Sequence, residues 1–383
     1  VLTRHPVLLD ELIDPRQLYA PPDRDEINIL LTRVLVDMDV DDVETQMERL
    51  RVFKQAQQLR VAAADIMQTM PLMRVSDHLT WIAESLVNVA LEMAWQYMLS
   101  RHGCPMYEYD GEQRQAEFGV IGLGKLGGIE LGYGSDLDLI FVHNSEGQAQ
   151  FTNGEKSIEN GMFFTRLAQR LVHLLSTLTP SGVLYEIDMR LRPNGQSGLL
   201  VTSLTALASY QREDAWTWEH QALVRARPIA GGEHVCHGFQ WIRDEVLSKE
   251  RDPVTLATEV LEMRQRMRDE LDKSNNTQFD LKQGTGGIVD IEFMVQYAVL
   301  GGAHRYPSLL EFTDNIRLIE VASQTGLITT EQAQTLIDAY QEYRATLHHR
   351  VLQGQDRCVG LDRFENQRAQ VIQIWQQLFE VAG

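Results

Sequence analysis

Cysteine is scarce: Cys104, Cys236 and Cys358 are the three in 383 residues. They are too few and too far apart for a disulfide framework, and no Cys-x-x-Cys pair offers structural zinc, so a reducing cytoplasm is the expected setting. Long apolar runs are missing too. Nothing approaches the roughly 20 residues that cross a bilayer, and the N-terminus lacks a charged-then-apolar leader pattern, which sets membrane insertion and secretion aside. Basic residues are outnumbered, 35 Lys and Arg against 54 Asp and Glu, giving a formal net charge of −19. Such a surface repels nucleic-acid backbones and anionic membranes; a protein or small-molecule partner fits it better. The chain opens at Val1 instead of methionine and reads as a fragment or processed form of something longer.

What is present is ordinary globular material. A 44% hydrophobic fraction with 23% charge buries sizeable cores, and 383 residues exceed what one core usually serves, so two or three domains are expected. From about Asp25 to His102 apolar residues recur at helical spacing, as in Ile27, Leu30, Leu31 and Leu35. Asp41 with Glu44 resembles a capping box, Ser76 stands as an N-cap for a long helix from Leu79 to Leu99, and Pro71 and Pro21-Pro22 mark breaks. Gly103 to Gln115 is polar and turn-rich. Strands follow at Phe118–Gly122, Leu137–His143 and Val183–Leu191, with an amphipathic helix from Met162 to Leu178 between the last two. Beyond Pro253 the pattern is helical at Thr255–Lys273, Ile288–Leu300, Asp314–Thr325 and Thr330–Leu352, with a last helix ending the chain and a capping box at Thr329 with Gln332. The expected layout is α+β: a helical connector over 1–102, a small mixed sheet with helices over 103–250, and a helical bundle over 251–383.

The chemistry concentrates between Gly122 and Phe141. Gly122, Gly124 and Gly127 imitate the dinucleotide-binding spacing, which needs a continuous helix behind it to meet a pyrophosphate. Gly127, Gly128, Gly132 and Gly134 exclude that helix, each costing about 1 kcal/mol relative to alanine in a helix interior. What remains is a glycine-rich turn feeding Asp136-Leu-Asp138 into a strand, where alternation puts both carboxylates on one face about 7 Å apart. Asp188 supplies a third acid on a neighbouring strand, with Arg190 and Arg192 directly after it. Carboxylates about 4 Å apart repel by a few kcal/mol even at an effective dielectric of about 20, so the trio calls for a cation. Oxygen-only ligands select magnesium or manganese, and two such ions serve in-line phosphoryl chemistry. Asp-x-Asp pairs are usually turn residues that cap a strand. The package decides otherwise: glycines such as Gly124 and Gly134 for close backbone approach, Ser135 as a phosphate donor, and arginines beside the third acid.

Leu123-Gly-Lys125, a ten-residue gap and Asp136-Leu-Asp-Leu139 resemble the DNA polymerase β-like nucleotidyltransferases, although Gly or Ser usually stands where this chain has Lys125. Gly124-Lys-Leu-Gly-Gly128, Glu130-Leu-Gly-Tyr-Gly-Ser-Asp-Leu-Asp138, Asp188-Met-Arg-Leu-Arg-Pro193, Trp216 to Arg227 and Gly286 to Phe293 narrow the resemblance to the bacterial glutamine synthetase adenylyltransferase family. The resemblance runs from about Arg4 to the C-terminus and implies a polymerase β-like core. It also implies ATP as AMP donor, a tyrosine of glutamine synthetase as acceptor, and regulation by glutamine and the PII signal protein. That family pairs an AMP-removing half with an AMP-adding half, and the chain looks like the adding one. A tyrosine hydroxyl has a pKa near 10, so a metal or a carboxylate base such as Asp188 must help it ionise.

Other residues carry weaker signals. Lys125, Arg190 and Arg192 are candidate phosphate contacts; Arg225 and Arg227 are as well explained by structural ion pairs. Asp290 and Glu292 follow a Gly-Gly turn at a helix start, where capping explains them, and the resemblance adds that they face the nucleotide cleft. His234-Val-Cys-His237 reads as an exposed loop without zinc geometry, Trp216 and Trp218 as core packing, and His348-His349 as surface. Two alternatives stand beside AMP transfer: the phosphorolytic deadenylylase on the same scaffold, and an inactive nucleotidyltransferase fold acting as a regulatory binding module.

Overall fold

The computed structural model describes residues 20–36 and 42–380. Helix α1 (Arg24–Leu35) starts at Asp23, whose carboxylate accepts from the Glu26 amide while Glu26 accepts from the Asp23 amide, a closed capping box. Helix α2 (Val43–Ile66) starts at Asp42, which accepts from the Thr45 amide at 3.1 Å. The box expected at Asp41 falls on a position outside the described residues. Helix α3 (Leu72–His102) begins at Pro71, one turn earlier than the serine signal suggests, and Ser76 is buried inside it. Proline's fixed φ suits a helix entry and outweighs the capping preference of Ser76. Val75, Leu79, Ile82, Leu86 and Ala90 then turn one face of α3 inward.

Gly103 to Gln115, expected as turn, forms a hairpin of β1 (Pro105–Tyr109) and β2 (Glu112–Gln115) around Asp110-Gly111, both at positive φ. An Asp-Gly pair is the usual signal for this turn, but the all-exposed β2 hides the alternation that marks a strand. Strands β3 (Phe118–Gly122) and β4 (Leu137–His143) lie where the sequence puts them and pair antiparallel, with the single-turn α4 (Gly124–Gly127) in between. Strand β5 (Gln148–Thr152) joins β1, and α5 (Asn160–Ser176) follows. The third expected strand shrinks to β6 (Ile187–Asp188). The Asp188 carboxylate captures the Arg190 amide at 2.8 Å, a side-chain turn that removes the backbone from the ladder.

β7 (Val201–Ser203), α6 (Leu204–Glu213), α7 (Thr217–Val224), β8 (Arg227–Gly231) and α8 (Glu233–Leu247) come next. The central sheet runs β6-β4-β3-β8 with β7 also on β4; β6 and β7 are parallel to β4, so the sheet is mixed. Its apolar face shares one hydrophobic core with α1–α3 and α5. Phe118 stacks on Phe141 and Phe164 with centroids 5.7 and 5.9 Å apart, each buried ring worth roughly 1.5–3 kcal/mol. His234 and His237 are exposed as expected, but they ride on α8 and not on a loop, since Glu233 to Leu247 keeps an apolar stripe through Val235, Phe239, Ile242 and Val246.

The rest of the chain is α9 (Pro253–Leu271), β9 (Gln278–Asp280), α10 (Ile288–Gly302), α11 (Asn315–Gln324), α12 (Thr330–Leu352), β10 (Cys358–Gly360) and α13 (Glu365–Glu380). Thr329 and Gln332 close the expected capping box, and β9 pairs antiparallel with β10. The chain divides into two units: one extends to Tyr210 and takes in Arg227–Trp241, the other comprises Gln211–Ala226 and the chain from Ile242. In the second unit Trp216 is 71% exposed, contrary to the packing expected of it, because it stands at the N-cap of α7. His348 is buried while His349 is exposed: neighbours on a helix point about 100° apart, so the pair cannot share the surface.

Candidate active site

The site is built at the edge of the mixed sheet. Strand β3 is buried along its whole length, and its ladder with β4 continues one residue further, the Leu123 amide donating to the Asp138 carbonyl at 2.9 Å. The backbone then turns at Gly124, with φ +54°, where a Cβ would come within 2.5 Å of Asp138 Oδ2. Only glycine lets the chain pass this close to that carboxylate. Half-buried Lys125 follows on α4. Arg227 braces this short helix from β8, donating to the Gly127 and Leu126 carbonyls at 3.0 and 3.1 Å while pairing with the buried Glu84 of α3. Neither Arg227 nor Glu84 was singled out for this task, although a charge at position 84, on the apolar face of α3, is the signal that could have found it.

A second turn presents the acid pair. The Gly132 amide donates to Ser135 Oγ at 3.1 Å, and the Ser135 amide returns a bond to the Gly132 carbonyl. Gly134 stands at the tip with φ +69° and open space around it, so the left-handed backbone and not crowding calls for glycine. Ser135 Oγ accepts in this turn, which leaves its hydroxyl hydrogen to donate elsewhere. Tyr133 is anchored sideways, its hydroxyl donating to Asp65 Oδ2 of α2 at 3.1 Å; burial and the Asp65 charge push the phenol's pKa well above its ordinary value.

The chain enters β4 with Asp136 exposed and Asp138 partly buried. β6 runs parallel beside it, in register Leu137↔Ile187 and Asp138↔Asp188. Residues paired across neighbouring strands sit about 5 Å apart with side chains on one face, so Asp138 and Asp188 are neighbours there, and Asp136 stands in the turn one residue before β4 begins. Of the three acids expected to converge, the register thus opposes two, Asp138 and Asp188.

Arg190 is their present counter-charge. Its Nε donates to Asp188 Oδ2 at 2.8 Å and to Oδ1 at 3.0 Å, and Nη2 also reaches Oδ2. These bonds hold the Asp188 carboxyl below the usual carboxylate range. Arg190 is raised in turn, by Asp188 first and then by the charges of Asp138 and Asp136, so one guanidinium feels all three. Arg192 is differently employed, donating to the Met189, Gln196 and Gly198 carbonyls and closing the loop after β6.

Among the described residues no three carboxylate, imidazole or thiolate side chains are gathered as a metal centre requires. Asp188 has both oxygens committed to Arg190. The donor set nevertheless fits a hard divalent ion: all oxygen, with Asp138 and Asp188 opposed by strand register and the Arg190 guanidinium already standing in as a cation at Asp188.

Asp290 and Glu292 belong to the second unit, and their surroundings differ. Asp290 is 2% exposed, receives Arg264 at 2.5 Å and Arg268 at 3.0 Å, and accepts the Gly286 amide at 2.7 Å as α10 begins. Glu292 accepts from Arg225 at 2.6 Å and from Tyr340 at 3.3 Å. Arg225 and Arg227 thus both make the structural ion pairs weighed for them.

Known proteins resemble the chain along almost all of its length. A family model described as glutamate-ammonia ligase adenylyltransferase matches residues 1–240, and one described as PII-uridylyltransferase matches residues 255–369. The bifunctional glutamine synthetase adenylyltransferase/adenylyl-removing enzyme of Thioalkalivibrio sulfidiphilus is 51% identical over 380 residues, which is 99% of this chain and 39% of that protein. The enzyme of the same name from Nitrosococcus oceani is 51% identical with the same coverage, and that of Pseudomonas aeruginosa is 49% identical over 98% of this chain and 39% of its own length. The chain spans about two fifths of the length of these curated relatives. With a family model covering residues 1–240 and relatives near half identity along almost all of it, the chain belongs to the glutamate-ammonia ligase adenylyltransferase family.

Proposed function

We propose that the chain transfers AMP from ATP to a tyrosine hydroxyl of glutamine synthetase, releasing pyrophosphate. The observation that carries this reading is the register of β4 on β6, which opposes Asp138 to Asp188 just after the turn that bears Asp136. Asp136, Asp138 and Asp188 would hold magnesium or manganese. Bound there, the metal would neutralise the triphosphate and lower the pKa of the acceptor hydroxyl. Gly124 lets the backbone reach the nucleotide beside Asp138, and the hydroxyl of Ser135 and the ammonium of Lys125 are phosphate donors. Arg190, 72% exposed, is placed to leave Asp188 for the phosphates when the nucleotide arrives. The tyrosine oxygen attacks the α-phosphorus, the bond to the β-phosphate oxygen breaks, and the tyrosine proton passes to a carboxylate of the trio, Asp188 being the base. Arg192 stays with its loop, and Asp290 and Glu292 are left to the framework of the second unit.

The match of residues 255–369 supports the second unit as the part that answers to the PII protein; glutamine as effector rests on the family resemblance alone. Three free thiols favour a cytoplasmic setting; among the described residues no helix is long and apolar enough to cross a membrane. The relatives' printed name also includes AMP removal, which makes phosphorolysis of adenylylated glutamine synthetase the second reading. Mass spectrometry of glutamine synthetase after incubation with the chain, magnesium and labelled ATP tests the first: an AMP-bearing tyrosine that disappears with Asp136→Asn is expected. ADP appearing from adenylylated substrate and phosphate, with no AMP transfer from ATP, would reverse the assignment.

A further inference from the structure

Helix α2 lies outside the sheet, yet several of its polar residues, Arg51 and Asp65 among them, are buried. Glu48, Arg51, Lys54 and Gln55 recur at helical spacing, and Asp65 is 11 positions beyond Lys54, about three full turns, so all five share one face. That face is fastened to the segment leading into β6. Arg51, 1% exposed, donates to the carbonyls of Gly182 at 2.8 Å, Thr177 at 2.6 Å and Leu174 at 3.2 Å. Gln55 donates to the Ser181 carbonyl at 2.7 Å, and the Ser181 amide donates to Glu48 at 3.3 Å. Lys54 donates to the Leu184 carbonyl, four residues before Asp188, with its ammonium 3.9 Å from the centre of the Tyr185 ring. Three turns further along, Asp65 takes the hydroxyl of Tyr133 in the turn that precedes Asp136.

We infer that α2 is a positioning strut, with Lys54 and Asp65 as the pegs that fix the Asp188 segment and the Asp136–Asp138 segment relative to one another. This rests on the reading of those three acids as the metal carboxylates. A helix is stiff along its axis, so the separation of its two attachment points is set by residue count. The two pegs suit the task. Burial lowers the Lys54 pKa to about 8, an ammonium worth burying only where a carbonyl and a ring face it, and Asp65 is 7% exposed. Neither residue touches the reacting atoms, so both act through the segments they hold.

The test uses the whole chain, with Mn2+ and a non-hydrolysable ATP analogue, reading metal affinity by electron paramagnetic resonance and amide hydrogen exchange without metal. Lys54→Met and Asp65→Ala should each weaken Mn2+ by about 10–100-fold, the usual cost of losing a group that orients a ligand. They should also speed exchange in the segment each peg holds: 182–188 for Lys54, 132–138 for Asp65. Tyr133→Phe should match Asp65→Ala, the double variant should be no worse than either, and Asp65→Asn, which keeps an acceptor for the Tyr133 hydroxyl, should recover to within about threefold. Tyr133→Phe and Asp65→Asn keep size and burial and remain readable if Asp65→Ala does not fold. Parental affinity and exchange in Lys54→Met and Tyr133→Phe, with binding lost in Asp138→Asn, would overturn the strut and spare the site. Parental Mn2+ affinity in Asp138→Asn would overturn the site itself.

Discussion

Two acid pairs in this chain look alike as letters, Asp136-Leu-Asp138 in the first unit and Asp290-Ile-Glu292 in the second, and both have arginines for company. The first straddles a strand start: Asp138 lies in β4 opposite Asp188 of β6, and Asp136 stands in the turn just before the strand. The second lies in helix α10, where residues two apart point about 200° from one another, so Asp290 turns to Arg264 and Arg268 while Glu292 turns to Arg225 and Tyr340. Solvent separates them further. The Arg190 side chain beside the first pair is 72% exposed, whereas the side chains of Arg264 and Asp290 are 1% and 3% exposed. On the proposed function, the same residue types would serve catalysis at a wet strand start and structure in a dry helical core.

Breaking the first pair should cost activity and not stability. Asp138→Asn should lower the rate of AMP transfer by at least about 10²–10³-fold, the loss typical of one preorganised electrostatic group, with a nearly unchanged calorimetric midpoint. Breaking the second should do the reverse: Asp290→Ala leaves Arg264 buried without its carboxylate, a loss of about 3–5 kcal/mol that denaturant titration would report, while Mn2+ affinity of the folded fraction holds.

Acid should also distinguish the first unit. Burial depresses the His143 pKa from 6.5 to about 4, and the ring stacks 4.7 Å from Phe164. Between those values the unfolded chain binds a proton that the folded chain refuses, so stability falls as pH drops through that window, by on the order of 3 kcal/mol in all. His143→Phe should flatten that slope in melts taken from pH 6.5 to 4. The smallest effect is expected at the surface pair: Arg190→Ala should change stability by less than about 1 kcal/mol yet raise nucleotide-free Mn2+ affinity several-fold, because Asp188 is released.

Much of this was legible in the sequence where one period dominates. Strands β3 and β4 and helix α12 fall on the residues their spacing indicates, which puts Asp138 in β4 and Asp136 just ahead of it. What escaped depends on partners distant in sequence. Nothing local says that Lys54 and Asp65 face inward, since polar residues on a helix usually mark its wet side. The hold of Arg190 on Asp188 depends on a turn that also cuts the expected third strand to two residues. Trp216 and His348 went astray for a related reason: residue type gives an average burial, and position in the helix decides the particular case.

The central claim is that Asp136, Asp138 and Asp188 close together on divalent metal at the sheet edge. The most direct measurement is the anomalous signal of manganese in crystals of the chain grown with Mn2+ and a non-hydrolysable ATP analogue. Density among the three carboxylates, with Arg190 withdrawn from Asp188 to the phosphates, is the expected result. Manganese bound elsewhere, with Arg190 still holding both oxygens of Asp188 beside a bound nucleotide, would contradict it.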